Sequence, residues 1–403
     1  MGLLNYEKSQ ALLSALNVGN VRSEKVFLNA SLGRYMAEDL VAFENSPTLP
    51  TSAMDGYAVR HSDLASGRIR ILGDNPAGSD EQREVRNGIC IKTFTGSVMP
   101  RGADTLIPIE NVSVDGDEII IHTEVPCGFS VRPIGESYAA GDVLIKKGTK
   151  IGFAEIGVMA GLNTAVVPVV LKPRVATLAT GSEILEIGQL QENIAQIRSS
   201  NHHTIEAIAV MAGAEVVQMG VVKDDRASIT AAFENALASA DLVVSTGGVS
   251  VGDYDFVKDV VPALGAEVVF QGVNIKPGQH ILVAQRGTKF IIALPGFAYS
   301  STVTFLLYAV PLIKKFLGAE KGFELVEAIL SEPFNKRSKK SEFTACNLHF
   351  SDGAYRVDFE GKKSGTSAIL TNMLGNAALI ASGENDGPLK AGERVRVIKL
   401  EQF

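Results

Sequence analysis

The sequence predicts a multidomain protein of α/β plus β class, and three observations carry that prediction. From Lys172 onward, β-branched runs alternate with stretches of helical periodicity. From Ser46, short alternating runs are separated by Gly, Pro, Thr and Asn, and after Lys315 the chain returns to short runs of the same kind. Repeated strand–helix–strand units imply a mostly parallel sheet with helices on both faces, whereas closely spaced short strands suit a small barrel or sandwich. The length of 403 residues accommodates roughly two to four domains at about 150 residues each.

Taken in order, Tyr6 to Leu16 places Leu12, Leu13, Ala15 and Leu16 at helical spacing, and a second set of helical turns is expected near Phe27 to Met36. Strands are expected at Arg68 to Leu72, Gly88 to Phe94, Thr105 to Ile109 and Glu118 to His122. A Gly-rich connector from Gly135 to Lys150 leads to a helix at Phe153 to Ala160 and a strand at Thr164 to Leu171. The alternating series then runs through strand Arg174 to Leu178, a helical face of Ile205, Ile208, Ala209 and Ala212, and strand Glu215 to Val222. Helix Ser228 to Ser239, strand Asp241 to Ser245, helix Phe256 to Leu264 and strand Glu267 to Phe270 continue it. The final short strands are expected at Glu324 to Leu330, Tyr355 to Phe359, Ala377 to Ala381 and Arg394 to Leu400.

Composition excludes several classes of function. Basic residues number 38 against 45 acidic, a net charge of −7, and 46% of residues are hydrophobic, so the chain is globular and lacks the basic footprint of a nucleic-acid binder. The three cysteines, Cys90, Cys127 and Cys346, are odd in number and far apart, which suits reduced thiols in the cytoplasm better than a disulfide framework or a structural zinc site. The residues from Met1 to Gln10 do not read as an export signal. Phe290 to Ile313 is uncharged, but Pro295, Gly296, Ser300, Ser301, Thr302 and Thr304 divide it, so it reads as a buried strand, a turn and a buried helix, with no membrane partner.

Open α/β sheets bind ligands at the carboxyl ends of their strands. Two glycine-rich turns fall there: Thr180-Gly181-Ser182-Glu183 after one strand, and Thr246-Gly247-Gly248-Val249-Ser250-Val251-Gly252 after another. Such turns let backbone N–H groups approach an anion, with Thr and Ser hydroxyls as further donors. Neither the dinucleotide fingerprint nor a Walker motif is present. Carboxylates gather at the same edge as Glu183, Asp224, Asp225, Asp253 and Asp255, the oxygen ligands that Mg²⁺ takes beside a phosphate. For Asp225 and Asp253 a helix N-cap is the competing reading. Lys276-Pro277-Gly278 supplies a point charge at another strand end, with a solvated surface lysine as the alternative. In Thr51 to Ala58, Asp55 sits in a loop that an Asp-Gly turn alone would explain, and Thr93 to Gly96 with Pro100, Gly102 and Asp104 is similar. His202 and His203 are adjacent at a helix start, a spacing read here as unsuited to two metal ligands on one helix face.

Read together, S-A-M-D-G-Y-A (Ser52 to Ala58), T-G with P-x-G-A-D (Thr95 to Asp104), A-T-G-S-E (Ala179 to Glu183), S-T-G-G-V-S-V-G-D-Y-D (Ser245 to Asp255), I-K-P-G (Ile275 to Gly278) and L-P-G (Leu294 to Gly296) resemble the molybdopterin molybdenumtransferase family, which includes MoeA and the gephyrin E domain. The resemblance covers essentially the whole chain. It implies a split helical region (1–45 and 135–171), an inserted β module (46–134), an α/β molybdopterin-binding domain of MoCF type (172–317) and a C-terminal β-barrel (318–403), assembled as an elongated homodimer. The implied reaction is Mg²⁺-dependent insertion of molybdate into adenylylated molybdopterin with release of AMP. The implied catalytic set is Asp55, Thr95, Glu183, Asp224 and Asp255, with Glu183 and Asp255 on Mg²⁺. Gly181, Ser182, Thr246, Gly247, Gly248, Ser250, Gly252, Lys276, Pro277, Gly278, Pro295 and Gly296 would hold the pterin nucleotide. The loop carrying Asp55 would reach the pocket of the partner subunit. Molybdopterin adenylyltransferase and acceptor molybdoenzymes are the implied protein partners.

The chain departs from the family pattern at Ser137, Gly272, Gln279, His280, Phe297, Ala298 and Ala345, several of which remove positive charge from around the expected anion. Those departures keep open a paralog that binds a pterin nucleotide or another oxoanion without insertion, and the resemblance to the gephyrin branch keeps open an interaction scaffold of the same fold.

Overall fold

The structure is a computed structural model that describes residues 2–79, 83–249, 255–319, 322–336, 338–363 and 367–400. Of the residues singled out above, Met1, Ser250, Val251, Gly252, Asp253 and Tyr254 lie outside them. The chain divides into two compact units: one of residues 1–37, 148–156 and 166–403, the other of 38–147 and 157–165.

The larger unit is built on the alternating series. Strands β1 (Arg174–Thr180), β2 (Glu215–Val222), β3 (Leu242–Thr246), β4 (Glu267–Gln271), β5 (Leu282–Arg286) and β6 (Lys289–Leu294) form one sheet in the order β2-β1-β3-β6-β5-β4. Five strands run in one direction and β5 runs against them. The central strands β1, β3 and β6 are almost entirely buried, as parallel strands covered on both faces must be. Helix α1 (Asn201–Met211) packs into one core with Val175, Val244 and Ile292, while α2 (Arg226–Ser239) and α3 (Val257–Ala263) pack into another with Ala176, Val243 and Ile291. The alternate residues of each strand thus serve opposite faces. Asp225 caps α2, accepting from Ser228 N–H at 2.8 Å, so the capping reading holds there.

Phe290 to Ile313 folds as expected: β6, a turn exposed at Gly296 and Phe297, then α4 (Ala298–Thr304), a π-turn over Phe305–Ala309 and α5 (Val310–Phe316), which are largely buried. No helix among the described residues is long and apolar enough to cross a membrane. The N-terminal helix Tyr6–Ala15 packs on this segment, and Ser9 Oγ lies 2.8 Å from the Tyr308 hydroxyl. The helical turns expected at Phe27 to Met36 do not form. Ser23–Phe27 is a strand paired antiparallel with Val166–Val170, followed by a single 3-10 turn at Leu28–Ala30. Phe27 remains 72% exposed and Gly33 adopts φ +75°, so no apolar helix face continues across the segment.

Beyond the sheet, β7 (Leu325–Leu330), β8 (Ser341–Ser351), β9 (Ala354–Asp358), β10 (Ala377–Ser382) and β11 (Arg394–Lys399) close into a five-stranded barrel, because β8 pairs with both β9 and β10. A two-residue strand, Ile275–Lys276, joins β8 in parallel. Neither β8 nor β5 was read from the sequence.

The smaller unit holds a six-stranded sheet in the order Thr105–Pro108, Gly56–Val59, Ile89–Thr93, Arg68–Asn75, Glu118–Ile121 and Val112–Asp115. Tyr57, Val59, Ile69, Cys90, Ile107 and Ile119 form its core. The Thr51 to Ala58 loop proves to be two strand ends around a bend: Gly56 begins a central strand, where an added Cβ would lie 2.3 Å from the Ile107 carbonyl.

Candidate functional site

At the carboxyl edge of the parallel strands lies a cleft of about 860 Å³. Its floor comes from β1, β3 and β6, which hand over to Thr180-Gly181, Thr246-Gly247-Gly248 and Pro295-Gly296. The two glycine turns touch. Thr180 Oγ1 donates to the Thr246 carbonyl at 3.4 Å, and an added Cβ on Gly247 would lie 2.8 Å from the Thr180 carbonyl. Gly247 and Gly248 adopt φ of +91° and +69°, which glycine supplies without steric penalty. The close approach of these two turns is therefore a property of the glycines.

Glu183, Asp224 and Asp255 line the same cleft, so the structure brings together the three carboxylates expected from the α/β region. Asp224 Oδ2 accepts from Ser182 N–H at 3.0 Å, which ties the turn after β1 to the turn after β2. Sequence reasoning missed the opposite wall: Ile197, Arg198, Ser199 and Ser200 lead into α1 at Asn201, while His280, Phe297 and Ala298, named above as departures, line the same cleft. A Ser-Ser-Asn run before a helical face is a helix-start signal that could have pointed there. Asn201 Nδ2 donates to the Gly296 carbonyl at 2.7 Å and joins this wall to the third turn. The starts of α1 and α4 both reach the cleft, so their positive dipole ends and Arg198 offset the acidic side chains.

Lys276 and Pro277 do not line this cleft. They line a separate pocket of about 490 Å³ with Tyr299, Glu342, Ala345, Lys362 and Lys363. Strand β4 lies two strands beyond β6 in the sheet, so the segment after it is carried to the barrel. There Lys276 Nζ pairs with Glu342 Oε1 at 3.1 Å, while Glu342 Oε2 is buried without a hydrogen-bond partner. Gly278 packs against Thr304, whose Cγ2 would lie 2.1 Å from an added Cβ. Ala345 N–H donates to the Tyr299 hydroxyl at 2.9 Å, and that hydroxyl donates to the Phe343 carbonyl at 3.0 Å.

Asp55 and Thr95 belong to the smaller unit, where they form a compact acidic corner. Thr95 donates to Asp55 Oδ1 from its hydroxyl at 2.7 Å and from its backbone N–H at 2.8 Å. These bonds, the hydroxyl's first, hold the Asp55 carboxyl below the usual carboxylate range.

The oxygen donors of the cleft suit a hard cation. Glu183, Asp224 and Asp255 do not converge into an all-protein cage. Mg²⁺ does not require one, because it is held by about one or two carboxylates together with water and phosphate oxygens.

A cleft of glycine turns and carboxylates on the carboxyl edge of a nearly parallel sheet is the ligand site of an open α/β domain, and the match of residues 176–315 to the family described as a probable molybdopterin binding domain gives that domain its class. Residues 4–162 match the MoeA N-terminal region, domains I and II. A molybdopterin molybdenumtransferase of Nostoc sp. is 32% identical over 390 residues, covering 94% of this chain and 89% of that protein. One from Staphylococcus aureus strain Mu50 is 33% identical over 384 residues, covering 93% and 91%. The crystal structure of a MoeA protein from Pyrococcus horikoshii OT3 is 28% identical, covers 99% of this chain and all of that one, and superposes with a TM-score of 0.84. The chain belongs to the molybdopterin molybdenumtransferase family, enzymes of molybdenum cofactor biosynthesis.

Proposed function

We propose that this enzyme binds adenylylated molybdopterin in the cleft at the ends of β1, β3 and β6 and inserts molybdate with release of AMP. The observation that carries this reading is the pair of touching glycine turns, Thr180-Gly181 and Thr246-Gly247-Gly248, which line one cleft with Glu183, Asp224 and Asp255. Backbone N–H groups at such turns suit phosphate oxygens, and the apolar lining of Ile184, Ile197 and Phe297 suits a flat ring system.

Glu183 and Asp255 would hold Mg²⁺, whose charge would draw electron density from the bound phosphoryl group. Asp224, through its bond to Ser182 N–H, holds the turn after β1 in place. Asn201 does the same for the turn at Gly296. In a homodimer, the acidic corner of Asp55 and Thr95 completes the site of the other subunit. The Thr95 bonds keep Asp55 ionised for that role.

The test is a single-turnover assay of AMP release from adenylylated molybdopterin, with Mg²⁺ and with or without molybdate. Molybdate-dependent release is expected. Binding of the pterin nucleotide with no release would overturn the insertion step and leave the reading of a binding paralog. That second reading is favoured by Phe297 and Ala298 in the cleft wall, and by Ala345 beside a Lys276 already paired with Glu342. Mixing an Asp55→Asn subunit with an Asp255→Asn subunit tests the shared site: heterodimers regain activity only if the two residues act across subunits.

A further inference from the structure

Behind the cleft wall, on the side chains that flank Ser199–Asn201, three donor groups converge. His202 Nε2 lies 3.1 Å from His203 Nε2 and 3.3 Å from Glu186 Oε2, and the ligand atoms of all three residues lie within 4.8 Å of one another. Adjacent helical residues ordinarily diverge, which is why the sequence argued against a pair of ligands. Here the two rings turn toward each other, with centroids 4.2 Å apart.

We propose that Glu186, His202 and His203 form a binding site for a borderline divalent cation of the zinc class, separate from the oxygen-lined cleft. The spacing is that of a coordination shell: bonds of about 2.0–2.1 Å place neighbouring tetrahedral ligands about 3.3 Å apart. A second observation supports it independently. His202 is 2% exposed, and its other ring nitrogen, Nδ1, lies 2.9 Å from Ser199 Oγ. A hydrogen bond at the far nitrogen is how metal-binding imidazoles are oriented, with Nε2 left to face the ion. Imidazole with one carboxylate selects zinc, nickel, cobalt or copper over Mg²⁺, so the two sites differ in the chemistry of their donors. Three protein ligands leave one position for water.

The ion would act as a clasp. Glu186 follows the first glycine turn, and its carbonyl already accepts from Arg198 Nη1 at 3.0 Å, while His202 and His203 open α1. Joining them fixes the base of the 187–196 segment, where Ile187, Leu190 and Ile194 are exposed, against the wall formed by Arg198 to Asn201.

The test uses the full-length protein stripped by a chelator and titrated with Zn²⁺ by calorimetry and with Co²⁺ by visible absorption. One equivalent is expected to bind, with the intense bands of tetrahedral cobalt, and Zn²⁺ is expected to slow proteolysis within 187–196. His203→Gln, at a partly exposed position, should abolish these effects, and Glu186→Gln should do so if the first variant fails to fold. Ser199→Ala, which removes only the orienting bond, should weaken Zn²⁺ by about 10- to 100-fold. Absence of saturable one-to-one binding, or binding that folded His203→Gln or Glu186→Gln leaves unchanged, would overturn the site.

Discussion

A methyl group on Gly247 would point at the backbone of the neighbouring turn. Its Cβ would fall 2.8 Å from the Thr180 carbonyl oxygen and 2.9 Å from Thr180 Oγ1. An ordinary contact of carbon with a carbonyl oxygen needs about 3.3–3.6 Å, so Gly247→Ala must part the two turns by about 0.5–0.8 Å. The φ of +91° adds strain of about 1 kcal/mol for a residue bearing a side chain. With overpacking of about 1–3 kcal/mol, the total is about 2–4 kcal/mol. A control separates the two contributions. Gly287, in the turn between β5 and β6, has φ +63° and nothing within 4 Å of an added Cβ, so Gly287→Ala carries the strain alone. Urea unfolding of both variants at unchanged m-value gives the difference directly. Affinity for the pterin nucleotide should also fall by about tenfold or more for Gly247→Ala, since each 1.4 kcal/mol of lost contact is tenfold, and stay unchanged for Gly287→Ala. Equal destabilisation by the two substitutions, with ligand affinity unchanged in both, would refute the touching-turn account of the site.

Asp255→Asn should lower turnover about 100-fold or more while leaving pterin-nucleotide binding nearly intact, measured by single-turnover AMP release beside calorimetry. Tyr299→Phe removes the hydroxyl that joins Ala345 N–H to the Phe343 carbonyl and should cost about 1–3 kcal/mol in urea unfolding. Lys314 is 5% exposed, with its Nζ 3.2 Å from the Tyr35 hydroxyl, and burial pulls its pKa down to about 8. Because the unfolded chain holds that proton more tightly, the charge penalises the fold fully below about pH 8 and progressively less toward pH 10.5. Lys314→Met should therefore stabilise the protein by about 1–2 kcal/mol at neutral pH, and the gain in Tm should shrink as pH rises; a gain that grows with pH would contradict the assignment.

Much of the site was legible because its residues sit at strand ends, where pattern and chemistry coincide. The runs Arg174–Thr180 and Leu242–Thr246 announce buried strands by β-branched composition, and a glycine turn after each is a local signal. Glu183, Asp224 and Asp255 could be assigned to one edge because five strands of the sheet share a direction. Lys276 could not be placed this way. Its distance from the glycine turns depends on β5 and β6 lying between β4 and β3, and strand order is set by contacts far apart in sequence. The hairpin of β5 and β6 did leave a signal, Arg286-Gly287-Thr288 between apolar runs, but its effect on the sheet order did not follow from it.

By itself, the sequence determined the strand–helix alternation after Lys172, the short-strand character of the other β regions, the glycine turns and the carboxylates that follow them, but not the strand at Ser23–Phe27. These are local properties, fixed by side-chain periodicity and by the φ values that only glycine adopts freely. The tertiary structure alone decided which turns meet in one cleft and that Arg198 to Asn201 form its opposite wall. It also sent Lys276 to a pocket beside the barrel and turned His202 and His203 toward Glu186. Each of those outcomes depends on packing between segments tens of residues apart, where close-packed cores leave few alternative arrangements but no nearest-neighbour rule names them.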